Sequence, residues 1–187
     1  MVMRVKNANE SEVEIKMKEK MKENIVLIGM PAVGKSTAGV QLAKLLGYEF
    51  IDSDLVIQKE TGRLLHDIIR EDGIDRFIEI ENQVNSHLDT QHSVIATGGS
   101  VVYGAEAMEH LQKIGTIVYL KVSFDILKER LSDTEERGVV FKPGQDLYDL
   151  YLERTALYEK YAQITIDEEG MDAEQTILTI QKELGLS

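Results

Sequence analysis

The run Gly29-Met30-Pro31-Ala32-Val33-Gly34-Lys35-Ser36, with Thr37 after it, fits the pattern G-x-x-x-x-G-K-[ST]. Each residue type in that pattern has a task in holding phosphate. The glycines let the backbone turn so tightly that successive N–H groups face one anion. A helix opening near Lys35 adds the positive end of its dipole. The Lys35 ammonium supplies a point charge to the terminal phosphates, and the Ser36 hydroxyl is a ligand of the kind Mg²⁺ takes. The motif predicts that residues 29–37 bind a nucleoside triphosphate. It does not name the acceptor, which is left open as water, protein, nucleotide or metabolite.

Three further groups of residues bear on the acceptor. In Asp52-Ser53-Asp54, positions i and i+2 of an extended segment share a face, so both carboxylates can enter one cleft. One would support Mg²⁺ and the other would deprotonate a hydroxyl; the plain alternative is a helix N-cap. Thr97-Gly98-Gly99-Ser100 is either a tight turn after a strand or a place where a ligand meets bare backbone. The polar stretch 132–145 carries Arg137 and Lys142 between Gly138, Pro143 and Gly144. It reads as a lid over the phosphates, or as a solvated loop.

These groups need a scaffold, and the hydrophobic pattern supplies one. Strands are expected at 24–28, 49–51, 93–96, 116–121 and 164–166. Helices are expected at 35–46, 55–59, 64–70, 76–88, 106–114, 124–131, 146–161 and 173–184. Alternating β and α elements predict a parallel sheet with helices on both faces. Residues 21–187 read as one domain and 1–20, of mixed charge, as a mobile extension.

Composition removes whole classes of function. The 187 residues contain no cysteine, so there is no disulfide framework, thiolate zinc site or cysteine nucleophile. A formal net charge of −12 opposes general binding to nucleic acid or anionic lipid. No apolar run approaches the roughly 20 residues that span a bilayer, and no signal peptide is recognisable; a cytoplasmic monomer is expected. His66, His87, His92 and His110 show no metal-ligand spacing, the tyrosines of 148–161 read as packing, and Asp167-Glu168-Glu169 reads as a turn before the last helix.

Taken together, the motifs resemble the shikimate kinases, small P-loop kinases, from about residue 21 to the C-terminus. Phe50-Ile51-Asp52-Ser53-Asp54 is similar to that family's F-x-D-x-D, and residues 62–73 follow its G-x-x-I-x-x-I-F-x-x-x-G spacing. Ala96-Thr97-Gly98-Gly99 matches the start of A-T-G-G-G, Leu127, Arg130 and Leu131 resemble L-x-x-R-L, and Arg154 through Tyr158 resembles R-x-x-L-Y. The resemblance implies an α/β fold with a five-stranded parallel sheet of order 2-3-1-4-5, and ATP with Mg²⁺ as cofactors. It implies Ser36 and Asp52 at the metal and Asp54 on the acceptor hydroxyl. Gly98, Gly99 and Ser100 would line the acceptor site, and Arg154 would bind its carboxylate. Arg130 would lie on the adenine side, and Arg137 would meet the transferring phosphoryl group.

The acceptor side departs from the family. The arginine of F-R-x-x-E is Ile78, the aromatic of the I-F pair is Ile69, the third glycine of the turn is Ser100, and the lid's R-P-L-L is Arg137-Gly138-Val139-Val140. Arg76 is near Ile78 in sequence, but on a helix it leaves about 200° away. The expectation is phosphorylation by ATP of a hydroxyl on a small metabolite, shikimate or a related acceptor. The alternatives are a nucleotide or gluconate-type kinase and a non-catalytic ATP-binding regulator.

Overall fold

The computed structural model describes residues 24–132 and 144–186. Five parallel strands, β1 (Asn24–Ile28), β2 (Glu49–Asp52), β3 (Ser93–Ala96), β4 (Gly115–Lys121) and β5 (Ile164–Asp167), lie in the order β2-β3-β1-β4-β5. This is the order that the family resemblance implied. The register places Leu27 beside Ala96 and Val118, and Asp52 beside Ala96. Residues Ile25 to Ile28 and Ile117 to Leu120 are buried, as strands covered on both faces must be.

The helices are α1 (Lys35–Leu46), α2 (Ser53–Thr61), α3 (Leu65–Asp72), α4 (Ile74–Ser86), α5 (Ala105–Ile114), α6 (Phe124–Ser132), α7 (Leu147–Tyr161) and α8 (Ala173–Glu183). Most begin or end within two residues of expectation. Helix α2 is longer at its start, because Asp52 caps it with a bond from Asp54 N to Asp52 Oδ1 of 3.0 Å. Helix α7 starts on a capping box formed by Asp146 and Asp149, which fixes where it begins.

The connection after β1 leads to β2 on one side of the sheet, and the connection after β3 leads to β4 on the other. The chain therefore reverses direction between β1 and β3, and a crevice opens at their C-terminal ends. The phosphate-binding motif follows β1 and Thr97-Gly98-Gly99-Ser100 follows β3, so topology alone brings them together. A second, smaller core of Ile57, Ile68, Phe77 and Val84 ties α2, α3 and α4 into one block beside that crevice. No helix among the described residues is long and apolar enough to cross a membrane. The expected lid, with Arg137 and Lys142, and the extension 1–20 lie outside the described residues.

Candidate active site

Gly34 stands at the head of α1 with φ +100°, where a side chain would be strained. No side chain caps that helix, so its first N–H groups are left for an anion. Ala32 is also left-handed, at φ 63°, a non-glycine conformation that costs about 1 kcal/mol or more and is found at ligand-gripping loops. Lys35 is 8% exposed and its Nζ donates to Gly29 O and Met30 O, both at 2.8 Å. Burial lowers its pKa to about 8, against the pull of Asp54 and Asp52.

Ser36 Oγ donates to Asp52 Oδ2 at 3.0 Å, so the end of β2 reaches the phosphate-binding loop. A hydroxyl and a carboxylate side by side are hard oxygen donors that suit Mg²⁺. Asp52 is at once the cap of α2 and the hydrogen-bond partner of Ser36, so capping the helix does not keep it from standing beside the phosphate-binding loop. Asp54 lies in the first turn of α2 and not, as expected, on one extended segment with Asp52. It enters the same cavity because the helix turns it there. Asp54 Oδ1 is buried with no hydrogen-bond partner. Burial, reinforced by the charge of Asp52, raises the Asp54 pKa to about 6.

A cavity of about 390 Å³ joins these groups, running from Gly34, Lys35 and Ser36 past Asp52 and Asp54 to Gly98, Gly99, Ser100 and Arg154. Arg154, on α7, is only 2% exposed; its Nε donates to Tyr103 Oη at 3.4 Å, and its guanidinium lies 5.4 Å from that ring's centre. Gly98 is held by its N–H to Ser53 Oγ at 3.3 Å. A methyl group at Gly98 would collide with Glu81 Oε1 and stand 2.8 Å from Asp54 Oδ1. The bare backbone there is a requirement of the site.

Besides Ile69, which the sequence reading placed on the acceptor side, the structure brings to the site residues to which that reading gave no role. Glu81, on α4, is 1% exposed beneath Gly98; it accepts from Ser100 Oγ at 2.5 Å and leaves Oε1 unpartnered. Burial raises its pKa to about 7, opposed by the Ser100 hydrogen bond. Leu65, Ile69 and Phe77 form an apolar wall, with His66 and Gln58 also lining the cavity. Tyr158 Oη donates to Gly99 O at 2.6 Å.

Ile78 is not on the cavity wall; its neighbour Phe77 is. Arg76 is engaged at the surface with Glu79 at 2.8 Å, as its position on the helix suggested. His66 thus differs from His87 and His110, which approach the backbone carbonyls of Gln83 and Leu88 at 2.8 and 2.7 Å. Arg130 Nη1 donates to Val33 O at 3.1 Å on the far side of the phosphate-binding loop. Glu168, in the segment read as a turn before the last helix, is 6% exposed and lies 3.5 Å from Arg130.

A phosphate-binding loop facing a partly buried carboxylate across one cavity, on a parallel sheet of order 2-3-1-4-5, defines a P-loop kinase of small molecules. The sequence matches the family model "Shikimate kinase" over residues 31–185. It is 40% identical to a shikimate kinase of Thermodesulfovibrio yellowstonii over 164 residues, covering 86% of this chain and 94% of that protein. Among solved structures it resembles the shikimate kinase of Acinetobacter baumannii in complex with shikimate, at 34% identity and a TM-score of 0.76, covering 91% of this chain and 95% of that one. The shikimate kinase of Aquifex aeolicus is also similar, at 31% identity and a TM-score of 0.74, covering 87% and 96% of the two chains. The chain belongs to the shikimate kinase family. It is an ATP-dependent phosphotransferase whose cofactors are ATP and Mg²⁺.

Proposed function

We propose that this enzyme transfers the terminal phosphoryl group of ATP to a hydroxyl of a small hydroxylated carboxylic acid, shikimate or a ring relative of it. The observation that carries this reading is Asp54, which lines the cavity together with Lys35 and Ser36 and whose buried Oδ1 has no hydrogen-bond partner. A carboxylate with a free oxygen and a raised proton affinity accepts the proton of an attacking hydroxyl. Ser36 and Asp52 would hold Mg²⁺, which offsets charge on the phosphate oxygens. Lys35 turns from its own loop carbonyls to the incoming phosphates, and the loop N–H groups share that charge. Arg154 meets the acceptor's carboxylate, while Gly98, Gly99 and Ser100 let the ring lie against the backbone.

Among the described residues, the acceptor end has one arginine, Arg154, and an apolar wall in which Ile69 replaces an aromatic. That composition supports an acceptor with a single carboxylate and a substantial apolar ring face. With Mg-ATP as co-substrate, the reaction belongs in the cytoplasm. The test is ADP release across shikimate, quinate, gluconate, homoserine and nucleoside monophosphates. Saturable turnover on shikimate or quinate is expected. Turnover confined to gluconate, homoserine or a nucleotide would overturn the acceptor reading. ATP binding with no turnover on any acceptor would replace it with an ATP-binding regulator.

A further inference from the structure

Two cavities flank the phosphate-binding loop. Ala32, Gly34 and Thr37 line both of them. One leads to Asp54; the other, of about 230 Å³, leads away from it to Arg130, Glu168 and Thr176. A nucleotide whose terminal phosphate faced Asp54 would carry its base to the other side of the loop, in the second cavity.

Glu168 is out of place for a surface acid. It sits in the run Asp167-Glu168-Glu169, yet it is 6% exposed while both neighbours are exposed. Its N–H donates to Lys121 O at 2.9 Å, which fixes the backbone at the end of β5. Arg130 Nη1 approaches its Oε2 at 3.5 Å and donates to Val33 O at 3.1 Å. Burying a carboxylate is costly unless its oxygens are used; a hydrogen bond from Thr176 and the long Arg130 contact serve them, and an ionised carboxylate has further acceptor positions left. Burial also raises the proton affinity of this group, with Arg130 opposing.

We propose that Glu168 reads the base of the bound nucleotide by accepting the 6-amino group of adenine. An ionised carboxylate only accepts hydrogen bonds. Adenine offers an N–H donor at position 6, whereas hypoxanthine and guanine offer a carbonyl oxygen that would face the carboxylate acceptor to acceptor. Sites built around a polar group discriminate well because the wrong ligand leaves that group unpaired. Glu168 is therefore a donor-specificity residue. The inference rests on nucleotide binding alone and is independent of the acceptor.

Calorimetric titration of the full chain with Mg-ATP and with Mg-ITP, no acceptor present, tests it. The wild type should bind ATP about 10- to 100-fold more tightly than ITP, the range of one charge-assisted hydrogen bond. Glu168→Gln should shrink that ratio to about threefold or less, because an amide can donate to the ITP carbonyl. Arg130→Gln should weaken both nucleotides and keep the ratio. Equal binding of ATP and ITP by the wild type would overturn the proposal. So would a Glu168→Gln variant that weakens both nucleotides alike, which would reduce Glu168 to a support for Arg130. If that variant fails to fold, wild-type binding of N6,N6-dimethyl-ATP decides. Affinity equal to that of ATP sinks the proposal, and a tenfold or greater loss upholds it.

Discussion

Ser100 Oγ donates to Glu81 Oε2 at 2.5 Å, with both residues buried below the turn that follows β3. This contact joins the glycine turn to α4 and gives Glu81 its one side-chain hydrogen bond among the described residues. Ser100→Ala should cost about 1–3 kcal/mol by stranding a buried carboxyl group. Urea unfolding of the two proteins at one pH measures it, and an unchanged midpoint would show that the bond contributes nothing.

Glu81 gives the fold a pH dependence of known sign. Its folded pKa of about 7 exceeds the ordinary 4.5, so the folded state holds this proton more tightly than the unfolded chain. That contribution is favourable at low pH and is lost as pH rises from about 4.5 to about 7. Glu81→Gln should gain stability relative to wild type between pH 5 and pH 8, by on the order of 2 kcal/mol. An offset that is the same at both pH values would contradict the assignment.

Asp54→Asn should lower kcat by about 10²- to 10⁴-fold, the usual worth of a positioned base. The wild-type kcat/KM should rise with pH through an apparent pKa near 6, because burial and Asp52 raise the Asp54 value to about 6. That limb should vanish in the variant. Its persistence would assign the base elsewhere.

Lys35→Met should reduce ADP formation by about 10²- to 10³-fold or more. The fold should survive, since Lys35 is buried and burial holds its pKa down at about 8. Methionine removes a desolvated ammonium, so the melting temperature should stay level or rise. Near wild-type turnover would refute the phosphate role; a collapsed melting curve would show that its bonds to Gly29 O and Met30 O hold the loop.

Tyr158→Phe removes the donor to Gly99 O at 2.6 Å, a part-buried hydrogen bond, at about 0.5–1.5 kcal/mol. Because Gly99 borders the acceptor cavity, the acceptor KM should rise while the KM for ATP holds. Parallel rises in both constants would mean a general loosening of the fold.

The sequence by itself determined the local and donor-side features. A phosphate-binding loop is built from consecutive residues, so residues 29–37 announce it, and hydrophobic period with alternation of elements fixes strands, helices and a parallel sheet. Tertiary structure decided what depends on contacts across long separations. Glu81 and Ser100 are 19 residues apart, and Tyr158 and Gly99 are 59 apart; no spacing rule joins such pairs. The wall of Leu65, Ile69 and Phe77 exists because three helices share a small core of their own. Glu168 looked like one acid of three, and only the packing around Arg130 shows that it is buried. Patterns along a chain report what a segment does to itself; which side chains meet at the end of a sheet depends on how separate segments pack, and that is set by the whole fold.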